Sequence, residues 1–337
     1  MIETAWFVAL AFMLAGYAVL DGFDLGVGSL HLVLGRTTRE RTTLIDTIGP
    51  VWNGNEVWLL AAGGSMVVAF PHVYASSFSG FYLALMIVLW LLLLRGLGIE
   101  FRHQVESDLW HHAWDVTFSL ASLLLALLFG VALGNVLLGV PLEADGEFRG
   151  TFVLMLNPFA ALGGLLSVAV LMMHGAAWIA LKAEGEVQAR ARRFARRLWW
   201  PAMALVAAMV AASFVVRPDF TRNFGAHPWL AVFPLATLAA ASAIRRYRGK
   251  DDDLRAFLAG GAFIAGILAS VAAGLYPQLL PARPGGPHPG LDIYNAAAPA
   301  GSMRIAFGIY LFGMTLVIVY LVNIYRVWRG KVRAVYH

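Results

Sequence analysis

Cysteine is absent from the 337 residues, which excludes disulfides, thiolate zinc sites and cysteine-ligated iron–sulfur clusters. Charge is scarce as well. Asp, Glu, Lys and Arg make up 13% of the chain, against about 25% in an average soluble domain, while hydrophobic residues reach 60% and the mean hydropathy is +0.71. No Gly-rich phosphate loop, nucleophile elbow or dinucleotide fingerprint occurs, and many of the glycines lie in apolar runs. The net charge of +5 comes from connections beside those runs, so no nucleic-acid partner is expected. The N-terminal MIETAWF carries no Lys or Arg, and no cleavage-site pattern follows it; the first apolar run is expected to be retained as a helix.

Candidate metal and haem ligands are few. His72, His103, His111, His112, His227, His288 and His337 fall in connections or the tail, His31 lies near a helix end, and only His174 is well inside an apolar run. A membrane haem needs axial ligands on facing helices, and no His pair has zinc-like spacing with a carboxylate. The chain is expected to bind no haem and no metal on its own, with His174 a hydrogen-bonded packing residue.

What is present is a series of long apolar segments. Runs of about 17 residues or more, with one shorter run admitted, predict nine transmembrane helices. They cover residues 4–34, 51–70, 77–97, 114–138, 152–181, 198–216, 229–244, 254–275 and 303–325. The fold class is therefore an all-α integral membrane protein, one polytopic domain over 1–337. Nineteen of the 25 Lys and Arg fall on alternate connections and the tail, and Arg255 just inside the eighth run brings that face to 20, leaving Arg149, Arg217, Arg222, Arg283 and Arg304 on the opposite face. This bias places the N-terminus outside and the C-terminus in the cytoplasm. The basic inner connection 182–197 has helical spacing and is expected to extend a helix at the lipid surface. The Pro- and Gly-rich outer connection 276–302 is expected to be an irregular cap without regular secondary structure. Trp58, Trp114, Trp199, Trp200, Trp229 and Tyr325, near predicted ends, are expected to be interfacial anchors.

Two stretches break the apolar pattern with carboxylates. DGFDLGVG at 21–28 puts Asp21 and Asp24 on one helix face, and GPVWNGNEVWLL at 49–60 puts Asn53 and Glu56 within about two turns of the inner surface. A carboxylate well inside a bilayer costs roughly 2.5–3.5 kcal/mol, so each needs a partner, a proton or water. Proton carriage and a structural pairing, for instance with an inner-surface arginine such as Arg95 or Arg102, are the two readings. Gly22 and Gly26, with Gly28 close by, allow a neighbouring backbone to approach near the aspartates. Asn53 and Glu56, three apart, are expected to share a face. A secondary transporter that uses the same carboxylates to bind a coupling ion is the alternative function, although the Gly/Pro-broken midplane helices it calls for are not evident.

DGFDLGVG at 21–28, GPVWNGNEVWLL at 49–60, FSGFY at 78–82, LNPF at 156–159 and LYP at 275–277 followed by IYNAAAP resemble subunit II of the cytochrome bd quinol oxidases, in the expected order over nearly the whole chain. The resemblance implies a haem-free subunit in a prokaryotic inner membrane, paired with a similarly folded subunit I that carries haem d and b-type haems and oxidises quinol. Small accessory subunits and a bound quinone also come within it. The complex would reduce oxygen to water, and subunit II would scaffold its partner and conduct protons from the cytoplasm. The family commonly has Trp-Asp-Gly-Asn where this chain has Trp52-Asn53-Gly54-Asn55, and an amide cannot ionise. Glu56, followed by Trp58, is then the candidate entry carboxylate, with Asp24 and Asp21 beyond it.

Overall fold

The computed structural model describes residues 1–332, so Arg333 and His337 of the basic tail lie outside the described residues. In chain order the helices are α1 (Ile2–Leu34), α2 (Thr38–Asp46), α3 (Trp52–Ala69), α4 (Pro71–Gly80), α5 (Tyr82–Phe101), α6 (Asp108–Leu138), α7 (Phe152–Met155), α8 (Pro158–Lys182), α9 (Gly185–Val216), α10 (Arg222–Ala226), α11 (Val232–Arg248), α12 (Asp253–Leu275) and α13 (Ala300–Val327). Among the described residues, eight helices are long and apolar enough to cross a membrane. They correspond to eight of the nine predicted spans. The remaining one, α3, has 18 residues but opens with Asn53, Asn55 and Glu56, and its composition falls short.

Local chemistry sets the breaks. Phe81 separates α4 from α5, so FSGFY is a helix junction and not the start of a continuous span from Ser77. The predicted run 152–181 is likewise divided. Asn157 accepts from the Ala160 amide at 2.9 Å and Pro158 occupies the first turn, so α8 starts there and α7 stands apart. The connection 182–197 becomes helix from Gly185 onward, after a break at Ala183 and Glu184, as the first part of α9, a single 32-residue element. The stretch 276–302 departs from expectation. Gln278–Leu280 (β1) and Leu291–Asp292 (β2) form a small antiparallel ribbon, and Val140 bridges to Ala282, tying the ribbon to the end of α6. Backbone groups under a cap need partners, and the ribbon supplies them despite the prolines.

α1 is the central element, packed against α3, α6, α8 and α12. At 1.5 Å per residue its 33 residues span about 50 Å, more than the roughly 30 Å hydrocarbon core. Its second half is buried almost continuously from Asp21 to His31. Lipid is as apolar as leucine, so close contact rather than water exclusion must hold such helices together. The glycines provide that contact. A Cβ on Gly26 would collide with the Leu171 carbonyl and with the backbone of Gly175 on α8, and one on Gly28 with Ser122 on α6; Gly22 faces Leu171. Gly26→Leu is therefore expected to prevent recovery of the assembled complex, because the obstruction is backbone and cannot rotate away. Gly26→Ala should cost about 1–3 kcal/mol as overpacking, read as a lowered thermal inactivation midpoint.

α13 stands in contrast, with almost none of its apolar stretch buried within the chain. Ile305, Ile309, Phe312 and Leu316 project outward from it. Its far end is clamped: Lys182 Nζ donates to the carbonyls of Trp328 (2.5 Å) and Gly330 (3.2 Å), and the Val332 amide to that of Lys182 (2.8 Å).

Candidate functional site: buried carboxylates around Arg95

Asp21 on α1 and Arg95 on α5 are both fully buried, and Arg95 Nη1 donates to the two Asp21 oxygens at 2.7 and 2.8 Å. An arginine buried this deeply persists only when compensated, and Asp21 compensates it. The same guanidinium reaches Glu56 on α3, with Nη2 3.4 Å from Oε2. Glu56 remains 21% exposed. It is thus the one carboxylate of the cluster with a side open to the surroundings, while the Trp52 ring lies 6.0 Å from the guanidinium carbon.

Asp24 is 1% exposed and, among the described residues, has no cation within ion-pair distance. One oxygen accepts from Asn55 Nδ2 at 2.8 Å; the other is buried without a hydrogen-bond partner. Asn55 Oδ1 in turn accepts from the Tyr325 hydroxyl at 2.8 Å, which brings α13 into the network. The two aspartates thus have different surroundings although they share a helix face. Asp21 is a fixed counter-charge. Asp24 can take a proton on its vacant oxygen without breaking a contact.

The residues named from sequence divide accordingly. Asp21, Asp24 and Glu56 do come together, with Arg95 between Asp21 and Glu56. Asn53 does not join them: it is exposed, and the step between positions 53 and 56 suffices to separate their environments. The amide that matters is Asn55, with Gly54 packed beneath Tyr320. Trp58 and Tyr325 are not interfacial anchors. Trp58 is buried, with its ring over Gly16 and edge-on to Phe12, and Tyr325 serves Asn55.

A second cluster escaped sequence reasoning. Asp115 on α6, 1% exposed, accepts from His31 Nε2 at 2.7 Å, Arg102 Nε at 2.6 Å and Arg41 Nη1 at 3.2 Å. Arg102 continues to Thr42 Oγ1 at 2.9 Å. His31, assigned from sequence to a helix end, is fully buried. The signal is spread over α1, α2, α5 and α6, and the sequence marks only Arg102 among these residues as a partner for a carboxylate. Nearby, the Glu40 amide donates to the N-cap Thr37 Oγ1 at 3.2 Å, while the Glu40 carboxylate accepts from the Arg36 amide at 2.8 Å and pairs with Arg190 of α9 at 2.7 Å. Partial burial pushes its carboxyl up, but the bonds from Arg190 and the Arg36 amide outweigh this and hold it below the usual range. His174 is committed to packing. Its Nε2 meets the Val19 carbonyl at 3.1 Å, its ring stacks on Phe257 at 4.7 Å, and its Nδ1, buried without a hydrogen-bond partner among the described residues, faces Gly260. No group of three or more metal-ligating side chains occurs among the described residues.

Fold and site together define a multi-pass helical membrane protein whose interior is organised by arginine–carboxylate networks and close glycine contacts. Comparison with known proteins gives the family. The description "Cytochrome bd terminal oxidase subunit II" matches residues 2–328. A "Probable cytochrome oxidase subunit 2" from Haemophilus influenzae is 32% identical over 96% of this chain and 92% of its own length. A "Cytochrome bd ubiquinol oxidase subunit 2" from Bacillus subtilis is 32% identical over 89% and 87%. The solved bd oxidase from Geobacillus thermodenitrificans shares the fold, with a TM-score of 0.80 and 19% identity over 97% of this chain and 98% of that one. This chain belongs to the cytochrome bd terminal oxidase subunit II family. It is a multi-pass inner-membrane subunit of a bd-type terminal oxidase, an oxidoreductase, and the transporter reading is set aside.

Proposed function

We propose that the chain is the haem-free partner of a subunit bearing b- and d-type haems, that it supports quinol oxidation by that partner, and that it carries protons inward from the cytoplasm through Glu56 and Asp24. The name of the Bacillus relative, a ubiquinol oxidase subunit, supports the substrate class. The observation that carries the proton reading is the asymmetry of the network. Glu56 is the carboxylate open to the surroundings, Asp21 is neutralised by Arg95, and Asp24 is buried with an unused oxygen. Oxygen reduction to water consumes protons, and a buried route needs groups that change charge without dismantling the fold. Arg95 fixes the field; Glu56 exchanges with water; Asp24 holds the proton further in. The exposed apolar side chains of α13 offer surface to lipid and to the haem-bearing subunit.

The route requires that the Glu56 end of the bundle face the cytoplasm. Reporter fusions should report a cytoplasmic position after Arg326 and an outer position within 281–289. A cytoplasmic signal from 281–289 would reverse the direction of proton entry and remove this reading.

A further inference from the structure

Cations are sparse at the end of the bundle that carries the β1–β2 ribbon, where Arg149, Arg217, Arg222, Arg283 and Arg304 are found. Three of these five gather at one place. Arg217, at the end of α9, and Arg283, after β1, line a cavity of about 310 Å³ together with Asp219 and His288. Arg222 is close enough to act on Asp219, whose carboxyl is held below the usual range, first by its hydrogen bond to Arg217 and then by the charges of both arginines.

The donors here outnumber the acceptors. Asp219 takes Nε and Nη2 of Arg217, each at 3.0 Å, leaving Nη1 buried with no hydrogen-bond partner among the described residues. Arg283 Nε is also buried without a partner, and Arg283 forms no ion pair among the described residues. His288 Nδ1 accepts from the Gly290 amide at 3.0 Å, so its proton resides on Nε2 and that nitrogen is a further donor. Unpaired buried guanidinium nitrogens are costly unless something fills them. The remaining Nη1 of Arg217, the Arg283 guanidinium and an imidazole N–H match the several acceptor oxygens of a phosphate better than the single plane of a carboxylate. The volume is at the lower end of that of small-ligand pockets and exceeds what a bare ion needs.

We propose that the cavity bordered by Arg217, Arg283 and His288 binds a phosphate group, carried by an anionic lipid headgroup or present as the free ion. The site lies at the opposite end of the bundle from Glu56 and is independent of the proton route.

The test uses the assembled oxidase, delipidated in an uncharged detergent and titrated calorimetrically with inorganic phosphate and, separately, with short-chain phosphatidylglycerol. Saturable binding of at least one probe is expected, with Kd raised at least tenfold in Arg283→Gln and in His288→Ala and with oxygen consumption unchanged. Binding of phosphatidylglycerol alone identifies a lipid headgroup as the occupant; binding of both identifies a general phosphate site. Should Arg283→Gln fail to assemble, His288→Ala decides, since its side chain has no ion pair to lose. No saturable binding, or equal Kd values in the wild type and an assembled variant, overturns the proposal.

Discussion

Glu56→Gln is expected to lower steady-state oxygen consumption per haem at least tenfold in the assembled oxidase while leaving haem content intact. A tenfold loss corresponds to about 1.4 kcal/mol, a modest demand on a step that moves a proton into a low-dielectric interior. Glutamine keeps the shape of Glu56 and can still lie against Arg95 Nη2, so the fold should persist. It cannot release and regain a proton. Glu56→Asp retains the chemistry but draws the carboxylate back by one methylene from its 3.4 Å contact, and should fall between the wild type and Gln. Asn53→Asp placed in the Glu56→Gln background should restore little, because position 53 is exposed and stands outside the Arg95 cluster. The measurement is oxygen uptake with haem quantified in the same samples. Full turnover per haem in Glu56→Gln would show that protons enter elsewhere and would return Asp21, Asp24 and Glu56 to a structural role.

Among the buried charges, the largest stability effect is expected at Asp115. It is the common acceptor for His31, Arg102 and Arg41, and Arg102 is itself 1% exposed. Removing one partner of a buried pair costs about 3–5 kcal/mol, because the remaining charge has nowhere to go. Asp115→Leu should therefore reduce the yield of haem-loaded complex sharply and lower its thermal inactivation midpoint. Replacing both partners, Asp115→Leu with Arg102→Met, should recover much of the loss, since two apolar side chains leave no fully buried charge uncompensated and Arg41 stays partly solvated. Arg41→Gln should be mild, about 1 kcal/mol or less, because Arg41 is partly solvated. A double variant as unstable as Asp115→Leu alone would mean that the carboxylate does more than neutralise Arg102.

The helical class and the site of carboxylate convergence were legible in the sequence because both rest on local rules. Apolar runs set the spans, and the i, i+3 spacing of Asp21 and Asp24 sets their common face. G-x-x-x-G at 22–26 likewise announced a close helix contact, which the structure places on Gly175. What could not be read was which partner each polar group meets. Arg95 lies 74 positions from Asp21, and Asp115 lies 84 from His31, so their pairings depend on how helices stack. The difference between Asn53 and Asn55 was hidden for the same reason. Two positions along a helix decide whether an amide faces Asp24 or the outside, and neither composition nor motif states the rotation of α3. The ribbon within 276–302 was masked by its prolines, which sit at its edges and turns.

Tyr325 gives the final helix a role in biogenesis. The chain emerges from the ribosome N-terminus first, so α1 and α3, with Asp24 and Asn55, enter the membrane long before α13 is made. Until α13 arrives, Asn55 lacks its hydroxyl donor and the Lys182 clamp on the last turn has nothing to hold. Completion of the Asp24 environment is thereby tied to completion of the polypeptide. A truncated or stalled product would carry an unfinished carboxylate pocket.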